Sequence, residues 1–230
     1  MVRETIAKAL APAGLMLRGG FAPEPADALP ALSGRRAPRT VMLVGNAGPA
    51  LWRAFAISPE AADGRPHPLN RWTRRQVDAA TARVGGAALY PFDADPPWPF
   101  QRWARRAEPV HISPIGLLIH PEYGLWHAYR AAILLGERLD IPPPAPTPSP
   151  CGICPDKPCL STCPVGAFTT AGYAVAACLN HLEVPAGEDC LETGCRARRA
   201  CPVGAAYRQE PAQAGFHMRA FRAAARAGGH

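Results

Sequence analysis

No stretch of this chain approaches the roughly 18 consecutive apolar residues that a membrane-spanning helix needs, so no membrane association is expected. The first 17 residues also lack a signal peptide's apolar run, because Lys8 and Pro12 interrupt it, and the protein is expected in the cytoplasm. Charge is sparse: 19% of residues are charged against 48% hydrophobic. That balance excludes a disordered polyelectrolyte and reads as a soluble, globular chain. There is no basic block either, since Arg35, Arg53, Arg71, Arg102, Arg196 and Arg222 are dispersed.

Cysteine is absent from the first 150 residues, and then eight appear between Cys151 and Cys201. Two of them open the same pentapeptide: Cys163-Pro164-Val165-Gly166-Ala167 recurs as Cys201-Pro202-Val203-Gly204-Ala205. Cys151-x₂-Cys154-x₄-Cys159-x₃-Cys163-Pro is the C-x₂-C-x₂-C-x₃-C-P run of two-cluster ferredoxins with two residues inserted near Asp156-Lys157. The second arm, Cys190-x₄-Cys195-x₅-Cys201-Pro, is looser. In such runs the cysteine before proline serves the other cluster. Exchanging the two Cys-Pro residues places Cys151, Cys154, Cys159 and Cys201 on one [4Fe–4S] cluster and Cys163, Cys178, Cys190 and Cys195 on a second, with none left over. Zinc is the rival metal, but structural zinc usually pairs C-x₂-C knuckles and neither arm supplies a clean pair. Disulfides do not suit a cytoplasmic chain.

The formal charge of +7 falls to about +3 once eight thiolates and two [4Fe–4S]²⁺ cores are counted. Nucleic acid is therefore not expected as a partner.

Along the chain, residues 2–12 read as a short helix, followed by a strand at 15–17 and a Gly-Gly turn. Residues 40–45 (TVMLVG) read as a buried strand, and a helix can begin within 48–57. Leu69, Trp72, Val77, Ala80 and Val84 recur at helical spacing across 68–84. A strand at 87–90 and an aromatic, proline-rich turn at 96–100 follow. Residues 116–120 and 126–135 read as two strands joined by a loop at 121–124, with Trp126 and Tyr129 also able to serve as core. Six of the ten residues at 141–150 are proline, which makes an extended connector. The expected organisation is α+β: an N-terminal domain (1–140), a proline linker (141–150), a double-cluster ferredoxin-like domain (151–206), and a basic C-terminal helix or tail (207–230).

From residue 115 to about Cys201, the order of motifs resembles the cobalamin-dependent epoxyqueuosine reductases. The resemblance rests on Gly124-Leu125-Trp126, the apolar strand after it, the proline linker and the first cysteine arm. It continues in Cys178-Leu179-Asn180-His181-Leu182 and the closing Cys-Pro arm. It implies a nitroreductase-like N-terminal domain that holds cobalamin, reduced through two cross-ligated [4Fe–4S] clusters. Residues 116–130 also resemble the cobalamin-processing (cyanocobalamin reductase-like) proteins, whose His-Pro-x-x-Gly element matches His120, Pro121 and Gly124. This implies that these residues, with Trp126, lie against a corrinoid. The reductases' catalytic aspartate falls near Asp95, which the resemblance makes a candidate proton donor.

The expected activity is that of an oxidoreductase passing single electrons from two clusters to a corrinoid, for corrinoid reduction or reductive removal of an axial ligand. A reductase, flavodoxin or ferredoxin would be the electron donor. A ferredoxin-like carrier without corrinoid is the alternative, and flavin, common on nitroreductase-like folds, is a further cofactor to consider. Because the chain stops 29 residues after Cys201, where the reductases continue into a tRNA-binding region, tRNA modification is not expected.

Overall fold

Residues 41–44, apolar throughout, lie in a central strand of a sheet whose order follows from what must be buried. The computed structural model describes residues 1–94 and 96–227. Their helices are α1 (Val2–Leu10), α2 (Ala50–Ala56), α3 (Pro59–Ala62), α4 (Pro68–Ala82), α5 (Phe100–Ala107), α6 (Pro158–Ser161), α7 (Val175–Leu182), α8 (Glu188–Thr193), α9 (Arg196–Arg199) and α10 (Pro211–Ala227). The strands are β1 (Met16–Phe21), β2 (Thr40–Ala47), β3 (Ala87–Leu89), β4 (His111–Ile112), β5 (Leu118–Ile119), β6 (His127–Leu135), β7 (Phe168–Thr169) and β8 (Gly172–Tyr173). This is a mixed α/β chain. Among the described residues, no helix is long and apolar enough to cross a membrane.

Two compact units divide the chain: Met1–Pro109 with His127–Thr147, and Val110–Trp126 with Pro148–His230. The second boundary falls within the proline segment. The first does not match a single domain over 1–140, because residues 110–126 group with the cysteine-bearing unit.

In the first unit, an antiparallel sheet runs in the order β1-β2-β6-β3. Val41, Met42, Leu43 and Val44 have no exposed surface, so both faces of β2 are covered. This is why its sequence is continuously apolar rather than alternating. On α4, Leu69, Trp72, Val77 and Ala80 are buried, as their spacing predicts. The anticipated Gly19-Gly20 turn is instead part of β1, at an irregularity in its pairing with β2. Gly19 has φ +67°, and a Cβ there would lie 2.2 Å from the carbonyl oxygen of Ala107; glycine is needed for close approach, not reversal.

Helix α5 was not anticipated. Phe100, Trp103, Ala104 and Ala107 form its buried stripe. Asp27, 4% exposed, accepts from Trp103 Nε1 at 3.0 Å and Arg106 at 2.7 Å, fixing the helix to the loop after β1. Nearby, buried Arg18 pairs with Glu108 at 2.7 Å, and Tyr129 donates to the same carboxylate at 2.6 Å.

In the second unit, Ile115, Ile119, Leu125, Ala197 and Cys201 form a core against which Cys151, Cys159, Cys163 and Cys195 pack. The two strands expected on either side of residues 121–124 do not pair. β5 pairs with β4, and β6 belongs to the first unit's sheet. The physical reason is that Ile119 and Leu125 are buried against Ala197 and Cys201. The predicted terminal helix appears as α10, packed on α8. Its Gly-Gly-His end lies outside the described residues.

Candidate functional site

The first cysteine arm is built from tight turns. Ser149 accepts from the Cys151 amide, and the two-residue insertion places Lys157 in the left-handed region at φ 37°. Pro158 then starts α6, which carries Cys159. In the pentapeptide that follows, Gly166 adopts φ +56°. The chain curls back there, and the Ala167 amide donates to Cys163 Sγ at 3.3 Å. Glycine permits this left-handed position without a Cβ penalty. In the second copy, Gly204 has φ +69°, and a backbone amide at Val203 bonds Cys201.

Three short helices present the remaining thiols: Cys178 within α7, Cys190 within α8, and Cys195 as the residue preceding α9. Asp189 ties the last two turns together, accepting from Arg196 Nε at 2.6 Å and from Arg199. The Arg196 bond, reinforced by Thr193, pulls the Asp189 carboxyl down to about 2.

These turns gather the cysteines around two cavities. One is lined by Cys151, Cys154, Cys159 and Cys201, with Ile119 and Pro202 among its walls. The other is lined by Cys163, Cys178, Cys190 and Cys195, with His181 and Met218. Every cysteine is a free thiol. Among the described residues, no group of three His, Cys, Asp or Glu side chains converges as a single metal ion would require. The thiols surround a space rather than a point.

Burial, reinforced by neighbouring thiolates, pushes the Cys151, Cys159 and Cys178 thiols above their ordinary value. Burial does the same for Cys195 and Cys201 against backbone hydrogen bonds that oppose it. Four thiolates in one such cavity require a compensating positive core. Sequence reasoning missed a further donor, Tyr173, whose hydroxyl hydrogen-bonds Cys178. It stands five residues before that cysteine and outside any cysteine spacing. Sequence reasoning also missed Arg198, which lies over the Trp126 ring and which burial pulls down to about 10. The basic run in the Cys195-x₅-Cys201 gap was its only signal.

The residues carried over for a corrinoid fall in the second unit, not in the N-terminal one. There they serve local structure. His120 Nδ1 accepts from the amides of Glu122 and Tyr123 at 3.1 and 3.2 Å, and its ring stacks on Tyr123. Pro121 follows it in the same turn. Gly124 lies against the backbone of Val203, and Trp126 is buried. Asp95 lies outside the described residues.

No protein-family model and no curated protein matches this chain. Solved structures do. The epoxyqueuosine reductase of Streptococcus thermophilus aligns over 87% of this chain and 65% of its own, at 13% identity and TM-score 0.50. The Bacillus subtilis enzyme aligns over 90% of this chain and 67% of its own, at 15% identity and TM-score 0.48. An epoxyqueuosine reductase solved with an epoxyqueuosine-modified tRNA-Tyr stem loop aligns over 89% and 65%, at 16% identity and TM-score 0.48. The likeness to the Streptococcus enzyme is one of fold, and the chain spans about 65% of that enzyme's length.

The expectation that nucleic acid is not a partner is withdrawn: one of these similar structures itself holds a tRNA stem loop. That expectation rested on whole-chain charge, which is the wrong quantity, because charges act over about a Debye length. The compensating thiolates all lie in the second unit. The first unit holds 17 Lys and Arg against 11 Asp and Glu, a formal +6 that no cluster offsets.

Proposed function

We propose that this chain is an iron–sulfur redox enzyme of the epoxyqueuosine reductase kind. Two [4Fe–4S] clusters would be held by Cys151, Cys154, Cys159 and Cys201 and by Cys163, Cys178, Cys190 and Cys195. The observation that carries the reading is the pair of cavities, each lined by four thiols, that together use all eight cysteines. The geometry favours clusters over zinc. A tetrahedral ion with bonds of about 2.3 Å draws its sulfurs to roughly 3.8 Å from one another, whereas a four-iron cube holds them apart around a volume. When bound, the clusters supply low-potential electrons one at a time.

The protein's own groups set how readily those electrons leave. The Ala167 amide on Cys163 Sγ and the Tyr173 hydroxyl on Cys178 stabilise negative charge on sulfur. The buried positions of Cys190 and Cys201 exclude water. A nitroreductase-like first unit and a ferredoxin-like second unit are the architecture this reading carries. The substrate is a modified nucleoside in tRNA, as in the reductases of like fold. Removing an epoxide oxygen as water takes two electrons and two protons, and two one-electron centres supply the pair. Support for a corrinoid acceptor comes from the sequence resemblance of residues 116–130.

Anaerobically purified protein should contain about eight iron and eight acid-labile sulfide per chain. After reduction it should convert an epoxyqueuosine-containing tRNA-Tyr stem loop when hydroxocobalamin is present. Zinc in place of iron, or no labile sulfide, overturns the cluster assignment. Full cluster content with no conversion and an unchanged corrin spectrum overturns the enzyme reading and leaves a ferredoxin-like carrier.

A further inference from the structure

A third cavity in the second unit, of about 230 Å³, belongs to neither cysteine quartet as a whole. Trp126, Arg198, Arg199, Arg208, Gln209 and His217 contribute to its wall. Trp126 is 2% exposed, yet its indole Nε1 has no hydrogen-bond partner among the described residues. An indole N–H can only donate, and a buried donor left without an acceptor costs roughly 1–3 kcal/mol.

Arginine and glutamine side chains in the same wall add further donors. Arg198 gives Nε and one terminal nitrogen to the Leu125 carbonyl and the other terminal nitrogen to Gln209 Oε1 at 3.1 Å. Those three bonds leave two of a guanidinium's five N–H groups to spare. With its oxygen engaged by Arg198, Gln209 retains its NH₂ as a donor. Arg199 is neutralised by Asp189, but among the described residues neither Arg198 nor Arg208 has a carboxylate partner. The cavity therefore combines several unspent donors with two arginines that have no carboxylate partner, and Cys195 also stands in its wall.

We infer that this cavity is a binding site for a phosphate group, free or carried by a small monoester. Tetrahedral oxyanions accept several hydrogen bonds at once, and guanidinium groups match their geometry. The volume exceeds that of inorganic phosphate alone, which leaves room for a short organic substituent. The inference does not depend on iron, because every group it uses is a side chain in the second unit.

Equilibrium dialysis of the full chain against labelled inorganic phosphate and against glycerol phosphate, at constant ionic strength, tests it. One saturable site is expected, and tighter binding of glycerol phosphate would identify the natural ligand as a monoester. Trp126→Phe, which removes the N–H donor together with part of the indole ring, and Arg208→Gln, at an exposed position, should each weaken binding about tenfold or more. Circular dichroism identical to the parent would show that both variants fold. Absence of saturable binding for either ligand, or binding that neither variant weakens, would overturn the assignment.

Discussion

Gly124 and Gly204 meet back to back. A Cβ on Gly124 would sit 2.0 Å from the Val203 carbonyl oxygen, and one on Gly204 would sit 2.4 Å from the Tyr123 carbonyl carbon. Both residues have positive φ, +57° and +69°. The turn at residues 120–124 thus presses on the backbone that carries Cys201.

Gly124→Ala is therefore expected to cost about 3–5 kcal/mol, combining left-handed strain with a backbone clash. Gly116→Ala is the control: φ is +78° there, but nothing lies within 4 Å of the added Cβ. It should cost only about 1 kcal/mol. Denaturant unfolding of both variants measures the difference, and equal losses would show that the close approach does not matter.

The two quartets make a pairing rule testable by composition alone. Cys151→Ser combined with Cys201→Ser should remove one cluster and leave the other, halving iron and sulfide. Cys151→Ser combined with Cys190→Ser should remove both, although the number of cysteines lost is the same. Iron analysis and low-temperature electron paramagnetic resonance of the reduced proteins decide. Equal iron in the two double variants would refute the cross-ligation.

Tyr173 donates to Cys178, and hydrogen bonds to cluster sulfurs help set the reduction potential. Tyr173→Phe keeps the ring, which stacks on Phe168 with centroids 4.9 Å apart, and deletes only the donor. The potential of the cluster bound by Cys178 is expected to fall, while that of the other stays where it was. A redox titration followed by electron paramagnetic resonance reads both. An unchanged potential would mean that the hydroxyl does not act on the sulfur.

The cysteine arms announced themselves in the sequence because ligand chemistry imposes residue type and spacing together. The sets of four read from that spacing are the sets that line the two cavities. Strands β2 and β3 and helix α4 were equally legible, since hydrophobic period and burial agree there. Helix α5 was overlooked because its proline-rich approach looked like a turn, although Phe100, Trp103, Ala104 and Ala107 carry a helical stripe. The placement of residues 110–126 was hidden for a different reason. Their core partners, Ala197 and Cys201, lie some 75 residues away in sequence, and no local pattern encodes such a contact. Arg198 and Tyr173 escaped notice because a hydrogen bond to a carbonyl or a sulfur leaves no periodic trace.

Asp27 offers a pH test in the first unit. Burial alone would raise its carboxyl, but the Glu24 amide, Arg106 and Trp103 outweigh burial and hold it below the usual carboxylate value. A carboxyl depressed in the folded state binds its proton more readily once the chain unfolds. Its contribution to stability is therefore fully present above the unfolded value of about 3.9 and is lost as pH falls through the lower folded value. Asp27→Asn keeps the shape but weakens the charged bonds to Arg106, so about 2–3 kcal/mol should disappear at pH 7. The gap between parent and variant should then close as pH drops below about 4. Urea unfolding of the two proteins from pH 7 to pH 3 measures it. A gap that stays constant across that range would mean that Asp27 acts through shape rather than charge.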